Sequence, residues 1–525
     1  MSEVRSPKSE RQIIRWIIFF VIVTRLAVAF RSEEKIYTRP YSEDSFYLFN
    51  CAEHFAHGEG FTCDGKSPTN GVQPLIVIIY TPLFLVAGAD KLLALRLGFI
   101  LTALFDSLSI VFIAKLVRIL QKKPDEEIRA WKSPPVIAAF LWATLYPIFV
   151  HSGAGMETGI YSVLLLSILY YYAKLSRLRS EGNAVSNMHW LGFGVLLGFT
   201  VLARIDAVIL VVSIASFEIY KWKRKGLISA TIISFFAFII SSPWWWYNYH
   251  IFGSIMPQSG VAEALQKGML AENLRRAAIV IGDIGTVFFF LPNYELPEWF
   301  HYFWMLAIIL IVLWIVKTFA LKNYLKENYI LAQLTPYYLF CGILAIYYIF
   351  FFSSPHFIPR YFHPFRIIWL VLFSCVAPKI ISGLKDFYSR KRNLTLGFIW
   401  VFSLAALGFS ASSYAYYFLI KGSSDFYKTG QFALMHPLEK IGMWQSGTAG
   451  FIAPNVVNLD GKVNNAALQA NLKGEIGRYI ADEKLDYLAD WREFAMPAII
   501  SASKYGMHFS EVDSIGRIKI FKSIK

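Results

Sequence analysis

The chain has 525 residues, of which 56% are hydrophobic and only 17% are charged, whereas an ordinary soluble domain has about 25% charged residues. The mean hydropathy of +0.46 and the many apolar runs of about 20 residues exclude a soluble globular protein and indicate a polytopic helical membrane protein. The net charge of +15 does not indicate a nucleic-acid partner, because no basic domain stands apart from the apolar runs and membrane proteins concentrate Lys and Arg in cytoplasmic loops.

The positions of Lys and Arg at the ends of the apolar runs predict the membrane topology. We expect about eleven membrane-spanning helices, with the N-terminus in the cytoplasm and the C-terminus outside. The expected spans are Ile13–Phe30, Leu92–Ala114, Pro134–Val150, Ile160–Tyr172, His189–Ala203, Ala207–Tyr220, Leu227–Tyr247, Tyr302–Val316, Tyr329–Phe352, Phe362–Ile381 and Leu394–Phe418. The first run is too long for a removable signal peptide and lacks a small-residue cleavage site, so we expect a retained anchor.

The stretch from Pro74 to Gly88 is apolar but short for a span, and it contains two prolines. Counting it as a span would invert all later helices, so we expect a helix lying along the outer membrane interface. Residues 31–90 then form the first outer loop, and residues 248–301 form another long outer loop. In the first loop, Cys51 and Cys63 can form a disulfide, provided that the loop is extracytoplasmic, or can remain two free thiols.

We expect two domains, a membrane domain of residues 1–420 and a polar C-terminal domain of residues 421–525. The C-terminal part contains a predicted helix over residues 466–483 and the strand-like stretch RIKIFKSI, and it is long enough for one small α/β domain outside the membrane. The chain has no internal repeat, so the inverted-repeat pattern of secondary transporters is absent from the sequence. The expected fold class is an all-α polytopic membrane protein with a small extracytoplasmic α/β domain.

The polar residues of the outer loops and outer span ends gather on one side of the membrane. They are Glu43, Asp44, Glu157, Arg204, Asp206, Asn248, His250, Gln258, Lys267, His356, Arg360 and His363. Charge near hydrocarbon is costly, so such residues are retained mostly where they serve a function.

Glu43 and Asp44 follow the first span directly. Ser42 is a suitable N-cap, and apolar residues recur at helical spacing from Leu48 to Phe55, which predicts an amphipathic helix lying on the membrane. A carboxylate in its first turn can simply complement the helix dipole, and that alternative remains open for Glu43. An acid at the outer interface can also take a proton from an acceptor hydroxyl beside a lipid-borne donor, and we expect this role for Asp44.

The remaining charged residues each have a structural alternative. Glu157 begins a span and can complement its helix N-terminus, and Arg204 can pair with Asp206 across a tight turn. Arg360 begins a later span, where a guanidinium at headgroup depth suits a phosphate but can also snorkel to ordinary anionic lipid. Lys267 can bind the same phosphate or be solvated.

The order of these motifs resembles the GT-C superfamily of membrane glycosyltransferases, which take a sugar from a polyprenyl-phosphate donor on the extracytoplasmic face. The resemblance is carried, in order, by the acidic pair after the first span, TNGVQPL, GMET, LARIDA, YNYHIFGSIMP and PRYFHP. It is nearest to the bacterial branch of the actinobacterial arabinofuranosyltransferases, and more distant to protein O-mannosyltransferases and lipid A aminoarabinose transferases. The stretch WQSGTAGFIAPNVVNLDGKVNN is similar to the periplasmic domain of some of these enzymes.

The resemblance implies roles for the outer residues. Asp44 would be the catalytic base with Glu43 beside it, although EDS stands where many relatives have two aspartates, so either acid can be the one that points inward. Glu157 would be the acid of the second outer loop. The implied ligands of the donor phosphate are Arg360, His356 and Lys267, and the expected substrate-binding residues are Arg204, Asp206, Tyr361, Asn248, His250 and Gln258.

The sequence therefore predicts an inverting hexosyl- or pentosyltransferase of cell-envelope polysaccharide synthesis in the bacterial plasma membrane. Its expected partners are a polyprenyl-phosphate sugar donor, a glycan, lipid or protein acceptor, and the bilayer. No cofactor is chemically required and no zinc cluster is indicated, although paired acids can hold a divalent cation. The alternatives are a lipid-linked sugar flippase or transporter, and a non-catalytic envelope protein that binds glycans.

Overall fold

The structure is a computed structural model that describes residues 8–121, 130–264, 270–285, 321–328, 330–352, 354–389 and 424–524, together with a few helical residues between 305 and 317. Lys267 and the predicted span Leu394–Phe418 lie outside the described residues, and most of the predicted span Tyr302–Val316 does so as well.

The described part of the chain is mostly helical. Its helices are α1 (Lys8–Val28), α2 (Glu33–Thr38), α3 (Ser45–Ala56), α4 (Pro74–Ala87), α5 (Lys91–Leu120), α6 (Pro134–Thr144), α7 (Tyr146–Gly153), α8 (Thr158–Ser180), α9 (Asn187–Ala203), α10 (Val208–Phe252), α11 (Gln258–Ala264), α12 (Leu270–Gly285), α13 (Leu321–Glu327), α14 (Ile330–Phe350), α15 (Ile358–Tyr361) and α16 (His363–Ser389). Short 3₁₀ turns precede α6, α10 and α15.

Several of these helices are suited to crossing a membrane. Within the described residues, five stretches are long and apolar enough, in α5, α8, α10 with the turn before it, α14 and α16. A sixth is present when α6 and α7, which meet at a bend of 60°, are taken as one broken span. The protein is therefore a multi-pass membrane protein, as expected from the sequence, and the count of about eleven spans stays a prediction.

Helix α10 contains two of the predicted spans. Lys223 interrupts it with φ 51° and ψ −124°, which are not helical angles. The Ser229 hydroxyl donates a hydrogen bond of 2.9 Å to Glu218, although the same separation along a straight helix would place the two residues about 16 Å apart. The chain therefore turns back at Lys223, where the sequence predicts a loop between two spans.

The first loop (residues 31–90) holds α2, α3 and α4. Helix α4 begins with proline at its first turn, where the missing N–H costs nothing. Its 14 residues are too short to span a bilayer core of about 30 Å, which agrees with the expectation that Pro74–Ala87 is not a span.

Helix α3 differs from the prediction in two respects. It begins at Ser45 rather than directly after Ser42, whose hydroxyl donates a hydrogen bond of 3.3 Å to the Ala154 carbonyl. It is also not amphipathic in its surroundings, since every residue from Ser45 to Ala52 is buried. Helix α4 covers one side of α3 and the C-terminal domain covers another. The contact with the C-terminal domain joins residues far apart in the chain, so the local sequence pattern does not predict it.

A buried ion pair ties the first described helix to the bundle. The Arg25 guanidinium of α1 lies 2.9 Å from Asp106 of α5, and both side chains are buried. Asp106 also accepts hydrogen bonds from the Trp142 indole at 3.4 Å and the Ser152 hydroxyl at 3.2 Å. Asp106 therefore links helices α1, α5, α6 and α7.

The C-terminal domain is the predicted small α/β unit. Its strands are β1 (Ile441–Met443), β2 (Val456–Asn458), β3 (Tyr487–Trp491), β4 (His508–Ile515) and β5 (Ile518–Ile524), and its helices are α17 (Asp425–Met435), α18 (Gly447–Ile452), α19 (Asn465–Lys473), α20 (Ile476–Asp482) and α21 (Arg492–Ser503). The sheet order is β2-β1-β3-β5-β4, with β1 parallel to β2 and β3, and β5 antiparallel to β3 and β4. The single helix predicted over residues 466–483 is two helices, because Gly474 adopts φ 70° and ends the first of them.

Candidate active site

A cavity of about 360 Å³ lies where several parts of the chain meet. Its walls come from the first loop, the junction of α9 and α10, residues 256–263, residues 347–361 and one loop of the C-terminal domain. The charged residues in its lining are Asp44, Arg204, Asp206, Glu263, Arg360 and Lys462. Most of the remaining lining is apolar or aromatic, including Leu48, Val72, Ile209, Trp244 and Trp245.

Asp44 lines this cavity from the start of α3. It occupies the N-cap position, yet its side chain caps no helix N–H, so the carboxylate is free to face the cavity. Burial raises the pKa of Asp44, but the positive charges of Lys462, Arg360 and His356 outweigh it and hold the pKa below its ordinary value. Asp44 is therefore ionised at neutral pH and can accept a proton.

Glu43 faces a different neighbour and is absent from the cavity lining. Its carboxylate accepts hydrogen bonds from the backbone N–H groups of Gly447 and Thr448 in α18 of the C-terminal domain. Burial, together with the neighbouring charge of Asp44, raises the pKa of Glu43 to about 8. The two adjacent acids thus have different surroundings, and Asp44 is the one that points into the cavity.

Arg204 is held by carboxylates at the junction of α9 and α10. Its guanidinium lies 2.6 Å from Asp206 and 2.6 Å from Glu157, and Asp206 also accepts a hydrogen bond of 2.6 Å from the Tyr348 hydroxyl. The pairing of Arg204 with Asp206 that the sequence allowed is therefore present. Glu157 is fully buried and lies behind Arg204, outside the lining of the cavity.

Arg360 differs from Arg204, because no carboxylate in the described part of the chain pairs with it. Among the described residues it forms no ion pair, its buried Nε has no hydrogen-bond partner, and its Nη2 makes a long hydrogen bond of 3.5 Å to the Tyr361 hydroxyl. The guanidinium lies over the rings of Phe357 and Tyr361, at 5.0 and 5.2 Å from the ring centres. This cation is thus oriented by aromatic rings and available to an anion.

Lys462 also lines the cavity, and sequence reasoning did not select it. Its ammonium lies 2.9 Å from Glu263, 3.5 Å from Asp44 and 3.8 Å from Asp460. Lys462 belongs to the stretch LDGKVNN, which reads only as a turn in the C-terminal domain. Glu263 was missed as well, because nothing in the sequence near α11 shows that its carboxylate meets this lysine.

Asn248 and His250 lie at the end of α10 and are absent from the cavity lining. The Asn248 side chain is buried and donates a hydrogen bond of 3.3 Å to the Ile255 carbonyl. The His250 ring is exposed and stacks on Trp246, with ring centres 5.8 Å apart. Asn248 therefore contacts the loop that follows α10, whereas the contact of His250 lies within the helix itself.

Gln258 and His356 lie near the cavity without lining it. Gln258 accepts a hydrogen bond of 3.1 Å from Thr69, and its backbone N–H donates to Asn70 at 2.9 Å, so it anchors the TNGVQPL stretch of the first loop. His356 packs against Phe357, with ring centres 4.0 Å apart. Burial lowers the pKa of His356 despite the nearby Glu263 carboxylate.

No family model and no curated protein matches the sequence. Among solved structures, ArnT from Cupriavidus metallidurans bound to undecaprenyl phosphate matches with a TM-score of 0.56 and 12% identity, over 97% of this chain and 98% of that one. The archaeal oligosaccharyltransferase AglB from Archaeoglobus fulgidus, in complex with an inhibitory peptide and a dolichol-phosphate, matches with a TM-score of 0.51 and 15% identity, over 98% of this chain and 74% of that one. These likenesses show that the chain has the GT-C fold, as its motifs predicted.

Proposed function

We propose that the protein is an inverting glycosyltransferase that moves a sugar from a polyprenyl-phosphate donor to an acceptor hydroxyl on the extracytoplasmic face of a bacterial plasma membrane. The observation that carries this proposal is that the Asp44 carboxylate, whose pKa is held low by neighbouring positive charges, lines the same cavity as Arg360, a guanidinium that pairs with no carboxylate among the residues described. The likeness to a structure that binds undecaprenyl phosphate supports a lipid phosphate as the anion.

The transfer needs a base on one side of the sugar and a cation on the other. Asp44 accepts the proton of the acceptor hydroxyl, and the oxygen attacks the anomeric carbon. The bond between this carbon and the phosphate oxygen breaks, and the polyprenyl phosphate leaves with the bonding electrons. Arg360 stabilises the charge that develops on the phosphate, because its guanidinium is already oriented and desolvated before the reaction.

The rest of the cavity suits the other parts of the substrates. Arg204 and Asp206 present polar atoms beside Tyr361, whose ring lies 4.4 Å from the Arg204 guanidinium, and this wall can bind sugar hydroxyls. The apolar wall formed by Leu48 and Ile209 suits the first isoprene units of the donor. Glu157 acts indirectly, by holding the Arg204 guanidinium in place.

The test compares Asp44→Asn and Arg360→Gln with the wild type in proteoliposomes supplied with polyprenyl-phosphate hexoses and pentoses. The wild type should release polyprenyl phosphate from at least one donor. Asp44→Asn should lower turnover by about 100-fold or more while keeping donor binding, as measured by native mass spectrometry. Arg360→Gln should weaken donor binding by about 10- to 100-fold, because a charge-assisted hydrogen bond is lost.

Glu59→Gln is the matched control, because Glu59 is an acid of the same loop with 45% of its side chain exposed. It should behave as the wild type does. Full turnover by Asp44→Asn would refute the assignment of the base. Movement of an intact sugar-lipid across the bilayer, without release of polyprenyl phosphate from any donor, would instead identify a flippase.

A further inference from the structure

Lys462 is the charged group of the C-terminal domain that reaches the cavity, and its surroundings are those of a functional lysine. Only 19% of its side chain is exposed, and its ammonium lies between Glu263, Asp44 and Asp460. An ion pair that a lysine forms on a solvated surface contributes little free energy, so its loss has little effect. A buried ammonium that meets carboxylates from separate parts of the chain fixes their positions and charges.

The loop that carries Lys462 is pressed against the first loop. A Cβ atom on Gly71 would collide with the backbone oxygen of Lys462, so the chain can approach this closely only because residue 71 is glycine. Nearby, the Tyr47 hydroxyl makes hydrogen bonds of 3.2 Å with both Ser446 and Asn458 of the C-terminal domain. The ammonium is therefore held beside Asp44 by a docked domain rather than by a mobile side chain alone.

We propose that Lys462 is a positioning residue for Asp44, so that the C-terminal domain completes the active site of the membrane domain. The proposal rests on the proposed glycosyl transfer. The ammonium orients the carboxylate toward the acceptor hydroxyl and supplies the positive charge that keeps it ionised. Lys462 touches the base and, in this role, forms no bond with the donor or the acceptor.

The charges around Asp44 predict the pH dependence of transfer. The groups that face it are Glu43 on its own segment, Lys462 and Asp460 on the C-terminal domain, Glu263 on α11, and Arg360 and His356 on the segment before α16. Apart from burial, which acts in the opposite direction, Lys462 is the strongest influence on the pKa of Asp44. Removing this ammonium therefore raises the pKa of the base, and the acid limb of the rate profile moves to higher pH.

The experiment measures kcat and KM between pH 3 and 9 for the wild type, Lys462→Met, Lys462→Arg and Lys462→Ala in the full-length protein, with the donor on which the wild type is active, because the low pKa of Asp44 places the wild-type acid limb at the acidic end of this range. We expect Lys462→Met to lower kcat by about 100-fold, because the base is no longer held in place. Its acid limb should move up by about one to three pH units, the effect of losing one nearby opposite charge. Lys462→Arg should restore part of the rate, and added ethylammonium should restore part of the activity of Lys462→Ala.

Lys440→Met is the matched control, since this lysine belongs to the same domain and pairs with Glu483 at 2.8 Å while 50% of it is exposed. It should leave the rate profile unchanged. Thermal unfolding of every variant identifies those that fail to fold.

Three outcomes would overturn the proposal. An unchanged rate profile of Lys462→Met, in a protein where Asp44→Asn is inactive, would remove the inference and leave the proposed function intact. A lower kcat with no shift of the acid limb and no rescue by ethylammonium would show that Lys462 has a purely structural role. Absence of transfer by the wild type with every donor would overturn the proposed function, and this inference with it.

Discussion

Replacing Phe451 with alanine should loosen the docking of the C-terminal domain while leaving the domain folded. Phe451 lies in α18 and is fully buried, but it packs with the first loop rather than with the cores of its own domain. Its ring centre lies 5.6 Å from that of Phe46 and 6.2 Å from those of Tyr37 and Phe84. The side chain therefore contributes mainly to the interface.

The size of the effect follows from this burial. Truncation of a fully buried phenylalanine costs about 3–5 kcal/mol, and each 1.4 kcal/mol changes an equilibrium about tenfold. The undocked population should therefore rise by about 100- to 4,000-fold. Because the substitution removes contacts between the two domains, it should weaken docking. The free energy of unfolding of the C-terminal domain itself should change much less.

Hydrogen exchange at the backbone amides of Gly447 and Thr448 measures this opening, since both donate to Glu43 across the interface. Their protection should fall by the same factor in Phe451→Ala. The control is Phe494→Ala, because Phe494 lies on the same domain with 39% of its surface exposed. Equal protection of these amides in the two variants would refute the idea that Phe451 holds the domain in place.

Two further predictions concern buried charge. The pKa of Glu43 is raised from 4.5 to about 8, so its contribution to stability is complete below pH 4.5 and is fully lost once the pH has risen through about 8. The thermal midpoint of the wild type should therefore fall between about pH 5 and 8, whereas that of Glu43→Gln should not. Parallel profiles of the two proteins would contradict this. Asp106→Leu leaves Arg25 buried without its carboxylate, and this should lower the free energy of unfolding by about 3–5 kcal/mol. The double variant Arg25→Met with Asp106→Leu should recover most of that loss. Equal thermal midpoints for the single and double variants would argue against a coupled pair.

The membrane character of the chain was evident from local properties of the sequence. Three features that depend only on composition or on neighbouring residues predicted a polytopic helical protein with an α/β domain. They are the apolar runs, the prolines of Pro74–Ala87 and the small polar tail. The stretch RIKIFKSI begins with alternating polar and apolar residues, and Ile518–Ile524 forms strand β5. The order of short polar motifs along the chain was sufficient to indicate the GT-C fold.

The directions of Glu43 and Asp44 were decided by tertiary structure. Both acids precede α3, and no local pattern distinguishes an acid that faces the cavity from one that faces the N–H groups of Gly447 and Thr448. The same holds for α3 itself, whose periodicity predicted an exposed face, whereas the C-terminal domain covers it.

Lys462 shows most clearly what the sequence alone does not contain. It lies more than four hundred residues after Asp44 along the chain, and its turn has the composition of an ordinary loop. Only docking of the C-terminal domain brings the two charges to 3.5 Å and shields most of their surface from water. The chemistry of a side chain is encoded by its type, but its pKa and its partners depend on desolvation and on charges that the fold supplies from distant segments.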